Sequence, residues 1–246
     1  MRTKEEGQRR MIDMHSHILP YIDDGAIKLK ESIQMIKEAK EAGFDSIVST
    51  SHYIEESYNA SKMKRQELID LLNSKLQEED IEIKIYNGAE AYITPNLIKL
   101  IKDDKLPTLN NTKYLLMELP MNSQIIYLDR MISNLVSSGL VPVIAHPERY
   151  SYVQENPKMI MNLLDRGAIF QSNYGSIIGV YGREAEKTLK KLLKNDMIYL
   201  FGSDCHRKNS IYTEMEPILK KLEKLIGKEK LEELTSINPQ RLLEKM

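Results

Sequence analysis

The chain has one cysteine, which excludes an internal disulfide framework and a cysteine-rich zinc site. It has no excess of either charge: 35 Lys and Arg against 36 Asp and Glu leave a net charge of -1. Proteins that coat nucleic acid or anionic lipid are usually more basic, so neither is an expected partner. No apolar run approaches the roughly 20 residues that span a bilayer, so membrane insertion is not expected. Residues 1–10 are polar and lack the apolar stretch of a secretory signal. They read as a flexible N-terminal extension ahead of one domain, 11–246. No linker rich in Pro, Gly or Ser divides the chain, and no repeat or low-complexity tract interrupts it. With 41% hydrophobic and 29% charged residues, the expectation is a soluble, cytoplasmic globular protein.

What is present is an alternation of short apolar runs with helical patterns. Strand-length runs fall at Met11–Met14, Ser46–Thr50, Glu82–Asn87, Tyr114–Leu119, Val141–Ala145, Ala168–Gln171 and Ile198–Phe201. Between them, Leu29, Ile33, Ile36 and Ala39 recur at helical spacing before Gly43. Residues 61–79 read as a charged helix with Met63, Leu68, Leu71 and Leu72 on its apolar side. Further helical stripes run through 125–135, around Met159 and Leu163, over 183–194, and from Thr213 onward. Repeated β-α units predict a parallel sheet with helices outside, either open or closed into a barrel.

All five histidines sit at the ends of these strands: His15 and His17, His52, His146 and His206. Carboxylates obey the same rule, with Asp24 in the loop after the first strand, then Glu90, Glu118 and Asp204. In parallel α/β folds the carboxyl ends of strands converge on one face, where active sites form. In His15-Ser16-His17 both imidazoles point to one side of an extended segment. Imidazole with carboxylate suits Zn, Mn or Fe, and nine candidate ligands are too many for one ion.

Met-Ile-Asp-Met-His15-Ser-His17 with Asp24-Gly25, Ser-Thr-Ser-His52, Gly-Ala-Glu90, Met-Glu118-Leu-Pro, Ala-His146-Pro-Glu-Arg149-Tyr and Gly-Ser-Asp204-Cys-His206 together resemble the PHP (polymerase and histidinol phosphatase) superfamily. Within it they resemble the bacterial tyrosine-protein phosphatases of capsular and exopolysaccharide synthesis, over about residues 11–210. The resemblance implies a distorted (β/α)7 TIM-like barrel in a single domain. It implies three divalent ions, usually manganese, at a site whose ligands also accept iron, zinc or cobalt. By resemblance, His15, His17, Glu90 and Asp204 hold one ion; Glu90, Glu118 and His146 a second; Asp24, His52 and His206 a third. The implied substrate is phosphotyrosine in the tail of a partner tyrosine kinase that regulates polysaccharide polymerisation. Histidinol phosphate is the alternative substrate within the same superfamily.

The implied chemistry is hydrolysis of the ester by a metal-bridging hydroxide. Phenolate, of pKa about 10, is a fair leaving group, and His206 is a candidate to assist it. Arg149 is the candidate phosphate clamp, since a planar guanidinium matches phosphate; the other reading is a salt bridge to Glu148 or Asp165. Arg207 is a second substrate-binding candidate. The loop from Asn173 to Arg183 reads either as a mobile rim with Tyr174 or Tyr181 lining a groove, or as a plain turn. Cys205 cannot serve a Cys-x5-Arg phosphatase motif, because Ile211 stands where the arginine belongs, so it reads as a buried inert thiol.

Overall fold

The computed structural model describes residues 11–244, so the expected extension over residues 1–10 lies outside the described residues. Among the described residues there are nine strand segments. They are β1 (Met11–Ser16), β2 (Phe44–Ser49), β3 (His52–Tyr53), β4 (Lys84–Asn87), β5 (Glu90–Tyr92), β6 (Tyr114–Glu118), β7 (Val141–Ala145), β8 (Ile169–Asn173) and β9 (Leu200–Gly202). Every pairing is parallel, in the orders β1-β2-β4 and β3-β5-β6-β7-β8-β9. β2 and β3 are one stave broken at Thr50 and Ser51, and β4 and β5 are one stave broken at Gly88 and Ala89. The segments therefore form seven staves in sequence order, as the seven apolar runs and the resemblance led one to expect.

The ring closes between β9 and β1 through a single parallel bridge, Ser16 to Cys205. Asp204 N donates to His15 O at 2.8 Å and His17 N to Cys205 O at 3.0 Å across this seam. Buried Asp13 reinforces it: one oxygen accepts from Ser203 N at 2.8 Å, the other from Ser203 Oγ and Tyr212 OH, each at 2.6 Å. Helices flank each stave, among them Leu29–Glu41, Lys62–Glu78, Leu128–Ser137, Arg183–Lys194 and Met215–Ile226. Their apolar faces join the larger core cluster outside the barrel.

A second, smaller cluster fills the barrel: Met14, Val48, Leu116, Val143, Ala145 and Leu200 from the staves, with Leu109, Leu242 and Leu243 closing it. Leu116 and Glu118 are two apart, as are Ile169, Gln171 and Asn173, so the same inward faces turn from apolar to polar toward the strand ends. β1 reaches that arrangement differently. Its register with β2 shifts between Asp13 and Ser16, which lets His15 follow Met14 onto the inner side.

Several boundaries differ from the sequence expectation. β8 runs on to Asn173, so Asn173 is a strand residue and the loop proper opens with the turn Tyr174–Ile178. In the helix Lys62–Glu78, Met63 is 72% and Leu71 40% exposed, whereas Arg65 is fully buried. Arg65 is drawn inward by backbone carbonyls: Nη1 donates to Ser51 O at 2.7 Å, Nη2 to His52 O at 2.7 Å and Nε to Ala60 O at 3.0 Å.

Candidate metal centre

All nine candidate ligands meet at the carboxyl mouth of the barrel. His15, His17, Glu90 and Asp204 form one buried group whose donor atoms lie within 4.8 Å of one another. His17, Asp24, His52 and His206 form a second such group, and His52, Glu90 and Glu118 a third. His146 Nε2 lies 3.0 Å from Glu90 Oε1 and 3.7 Å from Glu118 Oε1, beside the third group. His146 has φ 34°, a left-handed backbone that is uncommon outside glycine, and Asp204 has φ 54°. Such strained positions concentrate at functional sites.

The contacts within the donor set fit cations. His15 Nδ1 lies 2.7 Å from Gln171 Oε1, and His17 Nδ1 lies 2.8 Å from Asp23 Oδ2. Both acceptors claim a proton on Nδ1, so the two Nε2 atoms face each other at 3.1 Å. Each Nε2 is also 3.4 Å from Asp204 Oδ1, and they stand 3.2 and 3.4 Å from Glu90 Oε2. Glu90 Oε2 is buried without an aligned hydrogen bond, although His52 Nδ1 is only 3.0 Å away. Lone pairs and anionic oxygens turned toward one point require either extra protons or a cation between them.

The protonation tendencies of the bare side chains agree. Burial alone would lower His15, but Glu90 and Asp204 outweigh it and bring its pKa up to about 9. His17 is raised well above the usual range for the same reason: burial opposes the charge, and Asp204, Asp23 and Glu90 hold it. Burial works against ionised Glu90, yet its histidine neighbours, His15 first, hold it well below the usual carboxylate range. Glu118 is raised by burial and then by Glu90. His206 is lowered by burial and by His17, whose ring stacks on it at 3.8 Å.

An open cavity of about 630 Å³ lies over the cluster, lined among others by Glu118, His146, Arg149, Tyr181, Asp204 and His206. Arg149 does bridge a carboxylate, but neither Glu148 nor Asp165. Its Nη1 donates to Asp204 Oδ2 at 2.6 Å, and its guanidinium lies 4.3 Å over the Tyr181 ring. Arg207 also lines the cavity; its Nη1 holds the Asp-Asp-Gly loop through the carbonyls of Asp24 and Gly25 and also donates to the adjacent His206 O. Tyr181 lines the groove, whereas Tyr174 is buried in the core against Phe44 and Phe201.

Residues that pattern reading passed over prove central. Asp23 appeared only as part of a turn, yet it orients His17 and also accepts from His52 N at 2.8 Å. Glu148 is fully buried and receives Ser172 Oγ, Asn173 N and Ser176 Oγ, all within 2.8 Å. Gln171 and Asn173 sit on the inner face of β8; their two-residue spacing at a strand end was the available signal.

A closed ring of parallel strands with histidines and carboxylates clustered at its carboxyl mouth defines the class of metal-assisted barrel hydrolases. The chain belongs to the capsular polysaccharide synthesis family CpsB/CapC, which it matches over residues 11–244. It is 34% identical over 219 residues to the tyrosine-protein phosphatase YwqE of Bacillus subtilis, spanning 89% of this chain and 86% of that protein. A solved structure from work on YwqE and on CpsB of Streptococcus pneumoniae, described there as metal-dependent tyrosine phosphatases, superposes with TM-score 0.89. The two share 33% identity, with 95% of this chain and 94% of that one covered. A histidinol phosphate phosphatase from Lactococcus lactis superposes with TM-score 0.57 at 14% identity over 90% of this chain and 94% of that one, a likeness of fold alone.

Proposed function

We propose that the chain is a cytoplasmic, metal-dependent protein-tyrosine phosphatase that removes phosphate from the tyrosine-bearing tail of a kinase regulating capsule or exopolysaccharide synthesis. The observation that carries this reading is the meeting of nine His, Asp and Glu side chains beneath a cavity that also holds two guanidinium groups. Membership of a family whose relatives bear the tyrosine phosphatase name supports the substrate.

In this reading three divalent ions, manganese by preference, would be held by the three ligand sets that the resemblance implies. Such ions supply a low-pKa water and neutralise charge on phosphoryl oxygens. The chain's own residues do the rest. Asp23 holds the His17 ring with Nε2 turned inward. Arg149, steadied by Asp204 and with one face against Tyr181, offers the remaining N–H donors along its edge to the phosphate. Arg207 places a second cation in the cavity while restraining the loop that carries Asp24. The buried Glu148 carboxylate ties the residue before Arg149 to Ser172, Asn173 and Ser176, which fixes the base of the clamp.

The test is a substrate panel on one purified sample with its metal content measured. Phosphotyrosyl peptide should turn over faster than histidinol phosphate, chelation should stop turnover, and manganese should restore it. His146→Ala should cut kcat at least about 100-fold, with the far-ultraviolet circular dichroism unchanged. Preference for histidinol phosphate, or turnover that survives chelation, would reverse the assignment.

A further inference from the structure

The proposed chemistry leaves two buried amides on β8 without a task, Gln171 and Asn173. We propose that they are positioning residues: a one-way hydrogen-bond relay, anchored on Asp204, that turns the Nε2 lone pair of His15 into the metal cluster. The inference deepens the metal reading and rests on it.

The direction of the relay follows from which atoms can only donate and which can only accept. An ionised carboxylate only accepts. Asn173 Nδ2 donates to Asp204 Oδ2 at 2.8 Å, which turns Asn173 Oδ1 away from the carboxylate. Gln171 Nε2 donates to that oxygen at 3.0 Å, which leaves Gln171 Oε1 facing His15 Nδ1 at 2.7 Å. An amide oxygen cannot donate, so the proton sits on Nδ1 and Nε2 of the neutral ring is bare. Flipping Gln171 alone would bring its oxygen against Asn173 Oδ1. Flipping both would bring the Asn173 oxygen against the Asp204 carboxylate. Gln171, Asn173 and His15 are fully buried, so no bulk water relieves either conflict.

The same relay acts on a second ligand. Asp204 Oδ2 is taken by Asn173 and by Arg149, so Oδ1 is the oxygen turned to the cluster, 3.4 Å from His15 Nε2 and from His17 Nε2. One pair of amides thus orients a histidine from β1 and a carboxylate beyond β9, on either side of the seam that closes the barrel. Asn173 is itself locked, since its backbone N–H donates to buried Glu148.

The experiment is zinc competition against a chromophoric chelator, with nitrogen-15 spectra of the zinc-loaded, histidine-labelled protein. Gln171→Met keeps the length and removes the acceptor; it should weaken the tightest zinc site by about 10–100-fold, the range for lost outer partners of metal-bound histidines. Gln171→Glu keeps an acceptor on Nδ1 but sets a carboxylate oxygen against Asn173 Oδ1, so the relay predicts that it weakens the site too, whereas a role limited to accepting from Nδ1 would leave zinc affinity intact. In the wild-type spectra His15 should carry its proton on Nδ1 and zinc on Nε2. Unchanged zinc affinity in Gln171→Met, or zinc on His15 Nδ1, would overturn the relay. If Gln171→Met fails to fold, the wild-type spectrum decides alone. Wild-type protein that takes up no zinc would sink the metal reading and the relay together; wild-type uptake with no effect at Gln171 would sink only the relay.

Discussion

The side chains at the mouth of the barrel divide into those turned to the cluster and those that aim them. Three of the nine candidate ligands have such an orienting partner in a neighbouring side chain: Gln171 for His15, Asp23 for His17, Asn173 and Arg149 for Asp204. Cys205 stands apart, although it lines the same cavity. Burial pushes its thiol up to about 12, and Sγ sits against Arg207 O at 3.2 Å and Ser210 Oγ at 3.4 Å. A thiol below its pKa stays protonated, and only the thiolate is nucleophilic. Iodoacetamide at pH 8 should therefore leave both Cys205 and turnover intact, with modification rising only as the pH approaches 12. Rapid labelling at pH 8, followed by mass spectrometry, would contradict this. The ligands themselves were legible as residue types at strand ends. Their orienting partners were not, because Gln, Asn and a turn Asp carry no signal until the partner across the barrel is known.

At the scale of elements, the site depends on two close approaches of backbone. A Cβ on Gly202 would fall 2.4 Å from His15 Cβ, and one on Gly25 would fall 2.3 Å from His17 O. β9 can lie against β1, and the Asp-Asp-Gly loop can fold back over His17, only where no side chain intervenes. Gly202→Ala should destabilise by at least about 1–3 kcal/mol, the usual cost of overpacking, measured by urea unfolding, and should weaken metal uptake through the displaced His15. Unchanged stability would mean the seam yields more easily than its contacts indicate. Helix and strand positions were largely readable from periodicity and from stop signals such as Gly43, Gly139 and Gly167, all of positive φ. The inward face of the helix Lys62–Glu78 was misread around Met63 and Arg65. Apolar spacing cannot register that broken staves offer bare carbonyls, which here draw a guanidinium into the core.

For the whole molecule, the distribution of polarity along the barrel axis decides what the fold can do. The lower interior is filled with Met14, Val48, Leu116, Val143 and Leu200 and stoppered by Leu242 and Leu243 from near the carboxyl end of the chain. Asn110 Nδ2 pins that stopper by donating to Leu243 O at 2.8 Å. Leu242 is fully buried, so Leu242→Ala should cost about 2–5 kcal/mol, as large-to-small changes in packed cores do, read as a lowered urea midpoint. A shift under about 1 kcal/mol would show that the stopper is peripheral to stability. Among the described residues, no helix is long and apolar enough to cross a membrane.

By itself the sequence determined the alternation of strands and helices, the seven staves, and the placing of histidines and carboxylates at strand ends. These are local properties, written in apolar spacing and in short motifs a few residues long. Only the tertiary structure decided that Arg149 bridges Asp204, that Arg65 lies buried, and that β1 changes register before His15. It alone set the amides of β8 between Asp204 and His15. Those outcomes depend chiefly on donors and acceptors between 13 and 156 residues apart along the chain, and a hydrogen bond has a direction only once both partners are in place.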